Sequence, residues 1–260
     1  MGTLWSVLLL AVVQGATEFL PVSSSGHLVL GSRLLGLPPA EGTLEVVLHL
    51  GTLAAVLLFF RRPLLRLVAD ALHNRGEGRR WLLALVIGSL PAGLAGVLLK
   101  EFFEARFSDL VGTGCWLLVT GLGLAFLAGP PRRPRPGAPR PFPALLVGLA
   151  QALAILPGIS RSGATIIAGM RAGLDRRRAG EFSFFLAIPA ILGAGLLKAK
   201  NLGASPIPPV HLAAGALVSA LVGLLCLWIL MWLLEAGRLR LFAPWCLAAG
   251  ATAIVLGLAG

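Results

Sequence analysis

Charge is scarce in this chain. Only 13% of its 260 residues are Asp, Glu, Lys or Arg, and the acidic ones number 11. A soluble domain of that length needs far more polar surface, and a soluble helical fold would have to hide its apolar runs on every side. Cysteine is scarce too. Cys115, Cys226 and Cys246 lie in apolar stretches with no pairing or ligand spacing, so they read as packing residues. The four histidines form no HxxxH pair and no CxxC occurs, so a zinc site is not expected. Nor is a cleavable signal peptide expected. The first apolar stretch lacks a basic leading segment and carries Glu18 and a polar cluster where a clean apolar core belongs.

Long apolar runs are abundant. Hydrophobic residues make up 57% of the chain, and mean hydropathy is +0.89. Crossing a bilayer takes about 20 helical residues. Six runs approach that length: Leu44–Phe60, Trp81–Leu99, Leu110–Ala128, Phe182–Leu197, Leu212–Leu234 and Leu241–Ala259. Net charge is +11, carried by 22 basic residues that cluster in short loops between these runs. That placement follows the positive-inside rule and argues against nucleic acid as a partner.

Loop charge sets an expected topology. Arg61, Arg62, Arg66, Arg75, Arg79 and Arg80 place the loop after the first run in the cytoplasm, and this loop includes an amphipathic stretch, Pro63–His73. Arg132, Arg133, Arg135 and Arg140 mark a Pro-rich cytoplasmic linker over 129–142, between halves of about 1–128 and 143–260. Arg176, Arg177, Arg178, Arg238 and Arg240 also fall inside. Lys198 and Lys200 fall outside, mildly against the rule. The expectation is one membrane domain with six spans and an outer C-terminus.

Two stretches do not fit as simple spans. Leu4–Leu35 is broken at Pro21-Val22-Ser23-Ser24-Ser25-Gly26-His27, and Pro143–Leu174 at Pro157-Gly158-Ile159-Ser160-Arg161-Ser162-Gly163. Breaks at membrane depth need burial in protein or a wet cavity, so both stretches are expected as re-entrant helix pairs. They also resemble each other. Gln14 and Gln151 precede the breaks 137 positions apart, and Glu45 and Glu181 follow them 136 apart. Three spans intervene, so the halves are expected to be inverted, a common transporter plan. The predicted fold is all-α and polytopic: six transmembrane helices plus two re-entrant pairs in an inverted repeat.

Ionisable residues within the membrane are functional candidates by default. Ser160-Arg161-Ser162-Gly163-Ala164-Thr165 opens a short helix. Its N–H groups, the Arg161 guanidinium and the hydroxyls of Ser160, Ser162 and Thr165 would cradle a phosphate. In the first break, Gln14 and Glu18 are spaced i, i+4 and share a helix face. Ser23, Ser24, Ser25 and His27 follow. A serine near a histidine offers a nucleophile with a base. Glu18 can orient His27, act as the base, or hold a hard divalent cation with Gln14, with water and phosphate supplying the other ligands. These readings stay open on residue chemistry alone. Glu45 and Glu181 stand near span starts and read first as structural, with pairing to Arg161 or lining the cavity as the alternative, and His49, one turn on from Glu45, is its expected hydrogen-bond partner.

Gln14-Gly-Ala-Thr-Glu18-Phe-Leu-Pro-Val-Ser-Ser-Ser-Gly-His27 resembles the first signature of the undecaprenyl-diphosphate phosphatase family of the bacitracin-resistance membrane type. Leu156-Pro-Gly-Ile-Ser-Arg-Ser-Gly-Ala-Thr165 resembles the second. Leu44-Glu-Val-Val-Leu-His-Leu-Gly51 and Glu181-Phe-Ser-Phe-Phe-Leu-Ala-Ile-Pro189 extend the likeness over nearly the whole chain. The resemblance implies hydrolysis of undecaprenyl diphosphate to undecaprenyl phosphate and inorganic phosphate. That reaction recycles the lipid carrier for peptidoglycan synthesis and confers bacitracin resistance. It further implies Mg²⁺ or Ca²⁺ and a multi-pass protein of the bacterial inner membrane, its site open to the outer side. The residues carried over are Gln14, Glu18, Ser24 and His27, with Ser160, Arg161, Ser162 and Thr165, and the likeness favours Ser24 as nucleophile. Ser23 and Ser25 would assist in binding phosphate. Gln14 departs from the usual Glu, leaving Glu18 to act alone as base or charged ligand, and His49 stands where Gln is expected. Expected partners are the isoprenyl diphosphate lipid and membrane lipids. A homodimer is allowed, since nothing in the sequence fixes oligomeric state. A transporter or flippase of the lipid phosphate is the rival reading, because fold alone does not decide function.

Overall fold

The computed structural model describes residues 3–35, 43–73, 76–107, 109–131, 134, 137–198 and 207–259. Arg75, Arg132, Arg133, Arg135 and Lys200, used above for topology, lie outside the described residues. Every regular element among the described residues is helical. Near-continuous apolar sequence permits little else in a bilayer, because helices satisfy their own backbone groups.

The first half comprises α1 (Thr3–Phe19), α2 (Ser24–Leu35), α3 (Thr43–Phe59), α4 (Arg61–Leu72), α5 (Gly76–Leu98), the short α6 (Lys100–Glu104) and α7 (Leu110–Leu127). The second comprises α8 (Pro141–Leu153), α9 (Arg161–Arg171), α10 (Arg176–Lys198), α11 (Pro209–Glu235) and α12 (Ala243–Ala259), which a 3₁₀ turn at Leu239–Phe242 precedes. Five helices are long and apolar enough to span: Gly76–Leu98, Leu110–Leu127, Arg176–Leu196, Pro209–Glu235 and Leu239–Ala259. A sixth span requires α3 and α4 together, which meet at a 72° bend. Alone, the 17 residues of α3 reach about 25 Å at 1.5 Å per residue, short of a ~30 Å core. The amphipathic stretch is thus a separate helix, α4, turned aside from α3. Pro91 and Pro189 both sit inside continuous helices. The linker ends sooner than the sequence suggested, because Pro141 already occupies the first turn of α8, where a missing N–H costs nothing.

Outward-facing Leu98, Leu196 and Leu258 are 74–75% exposed, as suits lipid contact. Cys115 also lies exposed on the surface of α7, whereas Cys226 and Cys246 are buried. Helix α11 packs along both α1 and α3, α5 along α8, and α7 along α12. At the centre, Phe19 is fully buried and meets Phe184 edge to face at 5.7 Å. Phe60 stacks on the same ring at 5.8 Å. This aromatic contact pins the C-terminal end of α1 to α10, and Glu18 sits one residue before it.

Candidate active site

Both breaks end in the same local chemistry. Ser23 Oγ accepts a hydrogen bond from Gly26 N at 3.3 Å, and Ser160 Oγ accepts from Gly163 N at 3.1 Å. Each serine thereby caps the helix that follows, satisfying an orphan N–H. Hydroxyl pairs Ser23–Ser25 and Ser160–Ser162 both stand 3.2 Å apart. Ser23 adopts φ 69°, the one non-glycine residue in the left-handed region among those described.

The breaks also touch. Ser23 Oγ accepts from Gly158 N at 3.2 Å, joining residues 135 positions apart. Gly158 has φ +100°, and a Cβ there would lie 2.3 Å from Thr113 O. Only glycine fits such a crossing. Thr120 of α7 fastens it by donating to Gly158 O at 2.8 Å and accepting from Ser160 N at 3.1 Å.

Capping leaves Ser24 and Arg161 as the first residues of α2 and α9, and both reach one carboxylate. Ser24 Oγ donates to Glu18 Oε2 at 2.7 Å. Arg161 Nη2 donates to Glu18 Oε1 at 2.5 Å, across 143 positions. Gln14 Nε2 donates to Oε2 at 3.0 Å, and His49 Nε2 approaches the same oxygen at 3.7 Å. Glu18 and Arg161 side chains are only 7% and 16% exposed. A buried charge pair with this many donors avoids the cost of an isolated ion. Among the described residues Arg161 Nη1 is buried and meets no hydrogen-bond partner.

A cavity of about 300 Å³ opens on this cluster. Glu18, Ser23, Ser24, Ser25, Ser160 and Arg161 line it. Apolar Val29, Val46 and Ile191 form other walls. The remaining expected residues stand elsewhere. Gln14 is fully buried behind Glu18 and serves that carboxylate rather than the cavity. Ser162 is turned inward, its hydroxyl donating to Leu20 O at 3.3 Å. Thr165 is fully buried, donating to Arg161 O at 2.7 Å and contacting Ser183 Oγ at 2.6 Å. Both are corrections to the phosphate cradle: position within the first turn of α9 carries their side chains into the core.

His27 is a further correction. It lies within α2, not at the break, and its ring is turned away from Ser24. Nδ1 lies 2.9 Å from Ser23 O, and Nε2 accepts from Trp245 Nε1 at 2.7 Å. With Nε2 an acceptor, Nδ1 carries the proton, so the imidazole ties the turn rather than serving as a base beside Ser24. Glu45 and His49, read as structural, both line the cavity. His49 bonds the backbone oxygen of Glu45, Nδ1 to O at 2.9 Å, and presents its other nitrogen to Glu18. Their i, i+4 spacing was legible, whereas the turn of α3 toward α1 was not. Glu181 pairs with Arg177 at 3.1 Å and lies outside the cavity.

The sequence model of the bacitracin resistance protein BacA family matches residues 7–252. The chain belongs to this family. An undecaprenyl-diphosphatase of Halothermothrix orenii is 39% identical over 258 residues, covering 97% of this chain and 98% of that protein. One of Rhodopirellula baltica is 43% identical over 269 residues, with 99% and 100% covered. A third, of Desulfatibacillum aliphaticivorans, is 41% identical over 268 residues, with 96% and 97% covered. The BacA resemblance read from the two motifs is thereby borne out over nearly the full length.

Whether these residues suit a divalent cation is a question of donors. Among the described residues no three His, Cys, Asp or Glu side chains gather as a metal-binding group. Two carboxylates, Glu18 and Glu45, line one cavity. Such a sparse oxygen set fits a hard ion that keeps water and takes phosphate oxygens for its other ligands.

Proposed function

We propose that the chain hydrolyses undecaprenyl diphosphate to undecaprenyl phosphate and inorganic phosphate, a hydrolase reaction at a diphosphate anhydride. The relatives' names and the family support the substrate. The observation that carries the chemistry is the bond from Ser24 Oγ to Glu18, in a cavity that Arg161 also lines. The isoprenyl tail lies along the apolar walls and the diphosphate enters between the breaks. Arg161, Ser160 and Ser25 hold phosphate oxygens and stabilise charge on the transferred group, the main demand in phosphoryl transfer. Ser24 Oγ attacks the terminal phosphorus as Glu18 takes its proton. The bridging P–O bond breaks, and undecaprenyl phosphate leaves. Water then cleaves the seryl phosphate and frees inorganic phosphate. Glu18 and Glu45 would hold Mg²⁺ or Ca²⁺, which when bound neutralises diphosphate charge.

We place the protein in the bacterial inner membrane, with the cavity open outward. Support comes from the arginines of α4 and of the α10 N-terminus, which lie at the far ends of the helices that line the cavity. The halves form an inverted repeat on this reading, supported by the matching caps and by α1 packing on α11 as α8 packs on α5. A lipid-phosphate carrier needs an anion site but no nucleophile bonded to a carboxylate, so the enzyme is the better fit.

The test is phosphate release from a long-chain isoprenyl diphosphate by the purified protein in detergent with Mg²⁺ or Ca²⁺. Release should occur, and Ser24→Ala should abolish nearly all of it. No release under any cation would sink the assignment. Full activity of Ser24→Ala would move the attack to water.

A further inference from the structure

A second cavity, of about 420 Å³, lies at the other end of the α3 and α10 pair. The active cavity touches α3 no further along than Leu50 and α10 no earlier than Ala190. The second touches Phe59 of α3, Phe60 at the bend that follows it, and Arg177 and Glu181 of α10. Nine residues separate the nearest contacts on each helix, 50 to 59 and 181 to 190, or about 14 Å at 1.5 Å per residue. The two cavities therefore open toward opposite ends of the α3 and α10 pair.

The second cavity has an apolar floor and a mixed-charge rim. Phe60 and Met231 are buried beneath it. Arg61, Arg62 and Arg177 supply three cations, and Glu181 and Glu235 two carboxylates. Arg177 pairs with Glu181, and Arg61 Nη1 donates to Leu58 O at 2.9 Å. Among the described residues no hydrogen bond or ion pair engages Arg62 or the Glu235 carboxylate. One free cation and one free anion thus flank the same space. Leu65 and Leu72 of the adjoining α4 are 69% and 79% exposed, which places this rim at an apolar medium rather than in bulk water.

We propose that this cavity binds the zwitterionic head group of an amine-bearing phospholipid. The phosphate takes the Arg61 and Arg62 guanidiniums, and the ammonium takes Glu235. The acyl chains leave across the exposed leucines of α4. A purely anionic head group would meet the unpaired Glu235 carboxylate. A choline head group has no N–H to donate to it.

Native mass spectrometry of the delipidated protein tests this, with phosphatidylethanolamine, phosphatidylglycerol and phosphatidylcholine added separately. Phosphatidylethanolamine should be retained about tenfold more tightly than either, the worth of one charge-assisted hydrogen bond. Glu235→Gln should erase its advantage over phosphatidylglycerol. Arg62→Gln should weaken both lipids. Equal retention of all three by the unmodified chain overturns the proposal, as does a preference that survives Glu235→Gln. Free phosphoethanolamine should compete poorly, and competition as strong as the lipid's would mean a soluble ligand instead. Phosphate release in detergent should be unchanged in both variants, so a failure here is distinct from a failure of the phosphatase reading.

Discussion

Glu18 holds four neighbours at once, and each has a separate use. On the proposed mechanism Ser24 attacks and Arg161 holds phosphate, while Gln14 and His49 contact the carboxylate from the sides. Ser24→Ala should lower phosphate release about 100- to 10,000-fold with little change in thermal stability, measured by initial rates and by unfolding in detergent. Glu18→Ala should be worse in kind. It removes the proton acceptor and also strands the Arg161 guanidinium, so a stability loss of about 3–5 kcal/mol should accompany the lost rate. Rescue of Glu18→Ala stability, but not rate, by adding Arg161→Met would separate the two effects. For His27 the expected signature is different. His27→Ala releases the Ser23 turn, so kcat should fall about tenfold or more while KM for the lipid stays near its original value.

At the scale of elements, the crossing of the two breaks decides whether the cavity exists. Thr120→Val deletes a donor to Gly158 O and an acceptor from Ser160 N together, leaving both unsatisfied, at a cost of about 1–3 kcal/mol for each. Circular dichroism melts of the variant should show the drop. Much of this level was legible in the sequence. Pro, Gly and Ser clusters marked both breaks, whereas the capping by Ser23 and Ser160 came from the structure. Side-chain direction was not legible. Ser160, Arg161, Ser162 and Thr165 read as one cradle, yet a helix turns each successive side chain by about 100°, so Ser162 and Thr165 face the core while Ser160 and Arg161 line the cavity. His27 misled for a related reason: its partner, Trp245, is 218 positions away and no local pattern points to it. Glu45 and His49 were discounted because a span start explained them well enough alone.

For the whole molecule, composition gave the membrane class and the family motifs gave the chemistry. What composition could not give was the 72° bend at Phe60, whose ring packs against Phe59, Phe184 and Phe185. The apolar walls of the active cavity carry their own expectation. A diphosphate without an isoprenyl tail should show a KM raised by orders of magnitude, since each CH₂ removed from water contributes about 0.8 kcal/mol until the walls are filled. Comparing isoprenyl diphosphates of increasing length in one detergent would measure it, and a flat series would show that the head group alone binds.

The Arg161–Glu18 bond spans 143 positions, so its members are synthesised far apart in time. A chain caught before its second half inserts carries this carboxylate at bilayer depth without its guanidinium, and such a group invites protonation or expulsion. Arrival of α9 cures that defect in the same contact that completes the reactive centre. Insertion and competence are then a single event, and a misassembled copy exposes an unpaired intramembrane charge, the kind of flaw that membrane quality control can recognise.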